Sequence, residues 1–487
     1  MTSSLNIKPL IAAVLVVFAL GACAKAPGTG RTIFTGGMSQ QDEARLGAQE
    51  HSKILAEFGG AYEDPEMTAY IERIGDNLAA NSELPNLDFT FTVLDTPIVN
   101  AFALPGGYVY VTRGLVELAN DEAELAGVMA HEIGHVTARH SAERYGSNVA
   151  ATIANIGVAI LGGQQAAQLS STATAMALQS YSRDQEFEAD TLGVRYLSRN
   201  SYDPEAMASF LGSLQAHSRL EAELAGNPGA ADQFSIMQTH PRTGDRIERA
   251  IEQAGTAGVA DPQRRREAYL AQLDGAVYGD SAEQGFVRGN SFLHPRLKFA
   301  FDAPQGFRLQ NTPAAVMGSG PGNARMIFEG GGSYSGAMQG YVRDQWARGS
   351  QLSGLQPLSL GSLDAATALA QVDTSSGQQL NARIAAVRSP SNQIYRFIFA
   401  APNVTGSLDS RFLDSIESFR LLSDSEAAAL RPYRLQLYRV QPGDTPASLA
   451  ERFPFDDGFD LQRFLVLNGL TQGASLSSGQ SVKLVVE

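Results

Sequence analysis

The chain has 487 residues, too many for one hydrophobic core, so two to four domains are expected. Hydrophobic residues make up 44% and charged residues 18% of the chain, a composition typical of folded rather than disordered proteins. The formal net charge is −14 and no run of Lys or Arg is long enough to override it, which argues against a nucleic-acid partner.

The N-terminus predicts export. Lys8 precedes an apolar run and small residues that end at Cys23, an order typical of a secretory signal peptide over residues 1–22. The run is short for a transmembrane helix. The stretch LGAC resembles a bacterial lipobox, which implies lipidation of Cys23 and a lipid anchor rather than a membrane span. Because Ala24 follows the cysteine, the resemblance favours the periplasmic side of the outer membrane.

Residues 23–38 are rich in Gly, Pro and Thr and predict a tether. From residue 39 to residue 273, apolar positions recur mostly every three or four residues, which predicts a mainly α-helical domain. A small β-sheet is expected within it, formed by the segments LDFTFTVLD and GYVYVT.

The sequence HEIGH at residues 131–135 lies on a predicted helix. His131 and His135 are four residues apart and therefore share one helix face, with Glu132 beside them. Two imidazoles at this spacing can bind zinc, and the neighbouring carboxylate can act as a base. A catalytic zinc ion needs a third protein ligand, which must come from elsewhere in the chain.

Two later segments bear on this site. Residues 148–163 are nearly free of charge; they could pass for a membrane helix but are short for one, and we expect a helix buried over the metal site. The helix predicted over 180–197 carries Glu186 and Asp190 on one face and Glu188 on roughly the opposite face. Most such acidic clusters are solvated, but a carboxylate downstream of the two histidines is also a candidate ligand.

The pattern changes beyond residue 285. Residues 285–425 contain short alternating apolar runs and one helix-like segment, which predict an α+β domain with an antiparallel sheet and no catalytic cluster. Residues 433–487 show the order strand, helix, helix, strand and resemble a LysM module. That resemblance implies peptidoglycan binding, and a purely structural module is the alternative. The expected fold is therefore multidomain, with a helical domain, an α+β domain and a small βααβ module.

Four ordered motifs, NAFALPGGYVYVTRGL, HEIGHVTARHS, SRDQEFEADTLG and THPRTGDRI, resemble those of the zinc metallopeptidases related to HtpX, BepA and the CAAX prenyl proteases. The likeness covers residues 40–260. It implies that His131, His135 and Glu186 bind one zinc ion per chain and that Glu132 is the catalytic base.

The same resemblance assigns roles to two further residues. Asp190 corresponds to a carboxylate that holds the outer N–H of a metal-bound imidazole. His240 has two candidate roles, either as a fourth zinc ligand that inhibits the enzyme or as a hydrogen-bond donor to the oxyanion. BepA-like relatives favour the first role, and the loop from about residue 227 to 244 is then expected to be mobile.

The expected function is zinc-dependent cleavage of misfolded or misassembled envelope proteins. A substrate peptide is expected to pair with an exposed edge strand at Gly107, Tyr108, Val109 and Tyr110. The alternative is a peptidoglycan-anchored scaffold or holding chaperone with a regulatory metal site. The intact Glu132 argues against this alternative, because a purely structural metal site needs no base.

Overall fold

The computed structural model describes residues 23–147, 180–229, 240, 243–373 and 379–487. The predicted signal peptide, the segment 148–163 and most of the loop expected to be mobile lie outside these ranges. Within them, every helix is too short or too polar to span a lipid bilayer.

The segment expected to be a tether contains a β-hairpin. β1 (Cys23–Lys25) and β2 (Thr32–Phe34) pair in antiparallel register, and the side chains of Ala26 and Ile33 are buried. Gly30 supplies the positive φ of the connecting turn. The tether prediction is therefore wrong for residues 23–34. This Gly- and Pro-rich stretch forms a hairpin that buries apolar side chains on the helical domain.

The described part of residues 39–273 is mainly helical. Its labelled helices are α1 (Gln40–Glu57), α2 (Pro65–Ala80), α3 (Arg113–Leu118), α4 (Glu122–Thr137), α5 (Arg183–Arg199), α6 (Glu205–Leu224), α7 (Thr243–Thr256) and α8 (Arg266–Leu273). Helix α4 is buried along almost its whole length, because α2, α5 and α6 pack around it.

Helix α4 has a defined start and end. It begins after Asp121, whose side chain accepts the backbone N–H of Glu124 at 2.9 Å. After Thr137, Arg139 adopts a φ of 55°, and a further helical segment follows over residues 140–147. This turn places His140 beside the end of α4, with its Nδ1 2.8 Å from the Nδ1 of His135.

A three-stranded sheet lies beside these helices. It contains β3 (Thr90–Leu94), β4 (Ala101–Leu104) and β5 (Tyr108–Thr112) in the order β3-β5-β4. Strand β5 pairs in parallel with β3 and antiparallel with β4, so Tyr110 faces a backbone partner on both sides. The expectation that Gly107–Tyr110 forms an exposed edge is therefore wrong. The Pro105-Gly106-Gly107 turn folds β4 onto one side of β5, and β3 takes the other.

Residues 285–425 form strands and a few helices, referred to below as the α+β domain, and β6 (Val277–Tyr278) precedes them. Its elements are β7 (Phe286–Arg288), β8 (Ser291–His294), β9 (Phe299–Asp302), β10 (Arg308–Asn311), β11 (Ala315–Gly320), a 3₁₀ turn (Pro321–Asn323), β12 (Ala324–Ser333), α9 (Met338–Gly340), a π-helical turn (Tyr341–Trp346), β13 (Leu352–Leu360), β14 (Leu363–Asp373), β15 (Gln379–Arg388), β16 (Gln393–Ala401), α10 (Gly406–Glu417), β17 (Arg420–Leu421) and α11 (Asp424–Ala429).

Two antiparallel sheets build this domain. One has the strand order β10-β11-β12-β16-β15-β14-β13 and the other the order β17-β9-β8-β7. Aromatic side chains fill the core between them, including Phe299, Phe328, Phe397 and Phe412. The apolar alternation in the sequence reflects this arrangement, because many of the strands turn one face toward an apolar core.

The C-terminal module has the expected βααβ order: β18 (Tyr433–Arg439), α12 (Pro446–Ala450), α13 (Asp460–Leu467) and β19 (Ser481–Val486). Strand β18 pairs with β19 on one side and with β6 on the other. Leu435, Val482 and Leu484 belong to the same apolar core as the helical domain. The module is therefore packed into that domain rather than attached by a linker.

Candidate metal centre

Four buried side chains direct potential ligand atoms to one point. All four ligand atoms lie within 4.8 Å of one another, and they come from His131, His135, Glu186 and His240. The Nε2 of His135 lies 3.0 Å from the Nε2 of His131 and 3.5 Å from Oε1 of Glu186. In a tetrahedral zinc site with ligand bonds of about 2.0–2.1 Å, neighbouring ligand atoms are roughly 3.3 Å apart. The observed spacing fits such an ion.

Close packing of α4 against α5 positions these ligands. The first turn of α5 carries Glu186, after a capping box in which Ser182 and Gln185 exchange hydrogen bonds. A Cβ atom at Gly134 would lie 3.1 Å from the carbonyl oxygen of Ala189, so a side chain there would force the two helices apart. The small residue thus allows the carboxylate of α5 to reach the histidines of α4.

Hydrogen bonds outside the centre orient both histidines of α4. The Nδ1 of His131 lies 2.9 Å from Oδ1 of Asp190, the carboxylate expected to hold it. The Nδ1 of His135 lies 2.8 Å from Nδ1 of His140, whose Nε2 lies 3.0 Å from Oε2 of Glu188. Asp190 accepts the Nδ1–H of His131, and Glu188 accepts the Nε2–H of His140. This leaves the Nδ1 of His140 to accept the Nδ1–H of His135, so the Nε2 atoms of His131 and His135 present lone pairs to the centre. Converging lone pairs beside a carboxylate suit a cation.

Arg246 is a member of this cluster to which the sequence analysis assigned no role. Its Nη1 lies 2.7 Å from Oε2 of Glu186, and its Nε and Nη2 donate to both oxygens of Asp190 at 2.8 and 2.7 Å. Burial opposes the charged form of Glu186, but the positive charges of His240 and Arg246 hold its pKa well below the usual value. Arg246 lies within the THPRTGDRI motif, and this position is the feature of the sequence that could have identified it as a site residue.

Glu132 lies beside the cluster without a hydrogen-bond partner. Both of its carboxylate oxygens are buried and unpaired among the described residues, as is Nε2 of His240, which lies 3.6 Å from Oε1 of Glu132. Burial raises the pKa of Glu132. A buried carboxylate without a partner is costly for folding, which is typical of a group retained for its chemistry.

Comparison with known families agrees with this geometry. Residues 65–254 match the protein family described as Peptidase family M48. This range includes all four potential ligands and Glu132. The chain carries an M48 peptidase domain. Residues 438–485 match the LysM domain, which confirms the resemblance of the C-terminal module. The family expected from the four sequence motifs is likewise confirmed.

The M48 domain has curated relatives in bacteria and mitochondria. The beta-barrel assembly-enhancing protease of Escherichia coli (strain K12) is 27% identical over 284 residues, which are 54% of this chain and 56% of the relative. The beta-barrel assembly-enhancing protease of Yersinia pestis is 32% identical over 201 residues, which are 39% of this chain and 40% of the relative. The mitochondrial metalloendopeptidase OMA1 of Schizosaccharomyces pombe is 32% identical over 217 residues, or 43% and 60%. The chain thus spans about half the length of these relatives.

Among solved structures, the solution structure of cyanobacterial PsbP from Synechocystis sp. PCC 6803 covers 29% of this chain and 98% of its own. It is 13% identical with a TM-score of 0.22, too low to support an inference.

A groove beside the M48 metal centre runs along β4. Its volume is about 260 Å³. The groove is lined on one side by β4 and the turn after it and on the other by the end of α4 and the residues that follow, including Ala103, Leu104, Pro105, His135 and Arg139. β5 is the central strand and is paired on both sides. The groove is therefore bordered by the edge strand β4, which lies next to the metal ligand His135.

Tyr181 is a second residue of the M48 site that the sequence analysis did not select. Its ring stacks on the imidazole of His135, with ring centroids 3.7 Å apart and an angle of 18° between the planes. The guanidinium of Arg144 lies 3.8 Å from the same tyrosine ring. The stacked ring limits rotation of His135. No motif marks Tyr181, so only the three-dimensional contact reveals it.

Proposed function

We propose that this chain is a zinc-dependent endopeptidase, lipid-anchored at the periplasmic face of the outer membrane, that cleaves misfolded or misassembled envelope proteins. The convergence of His131, His135 and Glu186 beside the buried Glu132, which has no hydrogen-bond partner among the described residues, carries the enzymatic part of the proposal. A scaffold or holding chaperone with a structural metal site would need no such carboxylate, so this alternative is less well supported.

The residues of the cluster have different roles in the proposed reaction. Zinc held by His131, His135 and Glu186 would supply a Lewis acid for the scissile carbonyl and make a water molecule more acidic. Glu132 accepts a proton from water at its carboxylate and returns it to the leaving amine. Because Glu132 has no other hydrogen-bond partner among the described residues, its carboxylate is available for both transfers.

His240 is proposed to hold the site in an inactive state. Three protein ligands and one open position are typical of catalytic zinc, whereas four protein ligands are typical of structural zinc. The Nδ1 of His240 lies among the potential ligand atoms, 3.0 Å from Oε1 of Glu186. In this arrangement the imidazole takes the position that a substrate would need. Displacement of His240 would open the site.

Substrate is proposed to add as a strand to β4. In the described part of the chain, β4 pairs with β5 alone, and the groove beside it reaches His135. Backbone hydrogen bonds to an edge strand recognise an extended peptide with little dependence on its sequence. Such recognition suits an enzyme that acts on unfolded segments of many proteins.

Three observations support the proposed location and partners. The names of the Escherichia coli and Yersinia pestis relatives refer to β-barrel assembly, which supports envelope proteins as substrates. Cys23 is exposed at the start of β1, where a lipid could be attached. The LysM domain supports weak peptidoglycan binding, although its burial against the M48 domain also fits a structural role.

Casein digestion combined with metal analysis tests the enzymatic proposal. Glu132→Gln should retain about one zinc ion per chain and lose protein cleavage, because the amide cannot accept the proton. Glu186→Gln should instead bind zinc more weakly. Full cleavage by Glu132→Gln would remove this residue from the mechanism, and unchanged zinc binding by Glu186→Gln would remove that ligand from the site.

A further inference from the structure

The N-terminal hairpin, defined here as residues 23–34, packs against both α4 and α5, the helices that carry three of the potential metal ligands. The backbone N–H of Gly28 donates to the carbonyl oxygen of Thr137 at the end of α4, at 2.9 Å. Its carbonyl oxygen accepts from Nη1 of Arg195 on α5, at 3.1 Å. A Cβ atom at Gly28 would lie 2.8 Å from Oγ1 of Thr137 and 3.1 Å from Cδ1 of Leu192, so a larger side chain would not fit.

Arg31 of this hairpin joins two segments around the metal centre. Its Nη1 and Nη2 donate to the two carboxylate oxygens of Glu143, at 2.7 and 2.8 Å, on the helical segment that follows α4. The same Nη2 donates to Oε2 of Glu188 on α5, at 3.1 Å. A bidentate arginine–carboxylate pair with a further carboxylate restricts the geometry more than a single ion pair does.

The contact with Glu188 continues inward to a metal ligand. Oε2 of Glu188, which accepts from Arg31, also accepts from Nε2 of His140 at 3.0 Å. The Nδ1 of His140 in turn lies 2.8 Å from Nδ1 of His135. Three successive hydrogen bonds therefore join a half-exposed arginine near the N-terminus to the ring of His135, and the histidines on this path are buried.

We propose that Arg31 is a positioning residue of the metal centre and that the N-terminal hairpin is part of that centre. Acting through Glu188 and His140, it holds His135 in the tautomer and ring orientation that a metal requires. The inference rests on the proposed metallopeptidase function, because it concerns the ion which that function needs. A lipid on Cys23 would then be joined to the centre through a packed hairpin rather than a free linker.

Cobalt binding by the full-length chain tests this inference without reference to cleavage. Arg31→Met keeps the aliphatic part of the side chain and removes both carboxylate contacts. Arg195→Met is its matched control, because Arg195 is equally exposed (41% for each side chain) and also contacts the hairpin, yet contacts neither Glu188 nor His140 in the described structure. The visible absorption of bound Co²⁺ and its dissociation constant in competition with a chelator are the measurements.

His140→Leu removes the acceptor of the His135 N–H and should weaken metal binding by roughly 10- to 100-fold, as loss of an outer-sphere partner typically does. His140→Asn offers an oxygen near the position of Nδ1 and should restore most of the affinity. Arg31→Met should shift the Co²⁺ spectrum and weaken binding in the same direction by a smaller factor, whereas Arg195→Met should leave both unchanged.

Equal effects of Arg31→Met and Arg195→Met would show that the hairpin supports only the general stability of the domain, and would overturn the inference. Unchanged Co²⁺ binding by both Arg31→Met and His140→Leu would overturn it as well. His131→Ala separates this failure from that of the proposed function. If His131→Ala also binds Co²⁺ normally, then the metal centre itself is wrong; if it loses Co²⁺, only the role of the hairpin fails.

Discussion

The Nδ1 of His240 lies 3.3 Å from the Nε2 of His131, so the histidine that follows α6 in the chain occupies a ligand position beside the first histidine of α4. A fourth protein ligand closes a catalytic metal site to substrate. We therefore expect His240→Ala to raise basal casein cleavage or self-cleavage while retaining about one zinc ion per chain. A tenfold rise would correspond to a closed state favoured by only about 1.4 kcal/mol.

The control for this experiment is the double variant His240→Ala with Glu132→Gln, which should bind zinc and cleave nothing. A large loss of cleavage in His240→Ala would instead support the second candidate role of His240, as a hydrogen-bond donor to the oxyanion. Unchanged activity would assign His240 to neither role.

Arg246 should be essential for the stability of the metal-free protein. Its removal leaves Glu186 and Asp190 buried without the guanidinium that contacts both carboxylates, and breaking a buried ion pair from one side costs about 3–5 kcal/mol. Arg249→Ala is the control on the same helix, because Arg249 is exposed and its guanidinium packs over the Phe187 ring at 4.1 Å. Thermal unfolding after metal removal should show a much larger loss for Arg246→Ala than for Arg249→Ala.

Added zinc should return part of the stability lost in Arg246→Ala, because the ion supplies positive charge at the same carboxylates. If Arg246→Ala and Arg249→Ala unfold at the same temperature without metal, the two buried carboxylates do not depend on Arg246.

His294 should make the stability of the α+β domain depend on pH. Burial lowers its pKa to about 4, and its Nδ1 accepts the backbone N–H of Leu297 at 3.3 Å, which requires the neutral ring. The unfolded chain binds a proton near pH 6.5, so the stabilisation is present above that pH and is lost as the pH falls from about 6.5 to 4, by roughly 3 kcal/mol.

Hydrogen exchange of the amides in β8 and β9 is the measurement for His294. Exchange should accelerate as the pH falls through this window, after correction for the intrinsic rate, and His294→Phe should reduce that acceleration. An identical pH dependence in the wild-type protein and His294→Phe would assign the effect to other groups.

Cys23 should carry the membrane attachment. If its thiol is the site of lipidation, Cys23→Ser should be found in the soluble fraction or remain unprocessed, because the chain contains one cysteine. Labelling with a palmitate analogue and fractionation of the envelope are the measurements. Labelling that persists in Cys23→Ser would contradict the lipid anchor at this residue.

The LysM domain should bind peptidoglycan weakly in the intact protein. Lys483 donates to the carbonyl oxygens of Glu117 and Ala119 at 2.8 Å, so this domain is packed on the M48 domain and only part of its surface is available. Co-sedimentation of the full-length chain with isolated sacculi, against an unrelated soluble protein, measures binding. Pelleting no greater than that of the unrelated protein would favour a purely structural module.

The sequence alone determined those features that depend on neighbours within a few positions. Spacing of four residues places His131 and His135 on one face of a helix, and helical periodicity, alternating strands and turn residues identify the helical domain, the α+β domain and the βααβ module. Family motifs added Glu186 to the predicted site. These properties are local, because hydrogen bonds within a helix or a tight turn are set by adjacent residues.

The tertiary structure decided which distant segments meet. Judged by its sequence, strand β5 could have been an edge strand, but β3 and β4 pair with it from both sides. Arg246 could likewise have been a solvated charge, but α7 packs it against two carboxylates of α5. Residues 23–34 resemble a tether in composition, yet Arg31 meets Glu188 over a separation of 157 residues. Such pairings depend on the free energy of burying particular surfaces together, which no local pattern in the chain encodes.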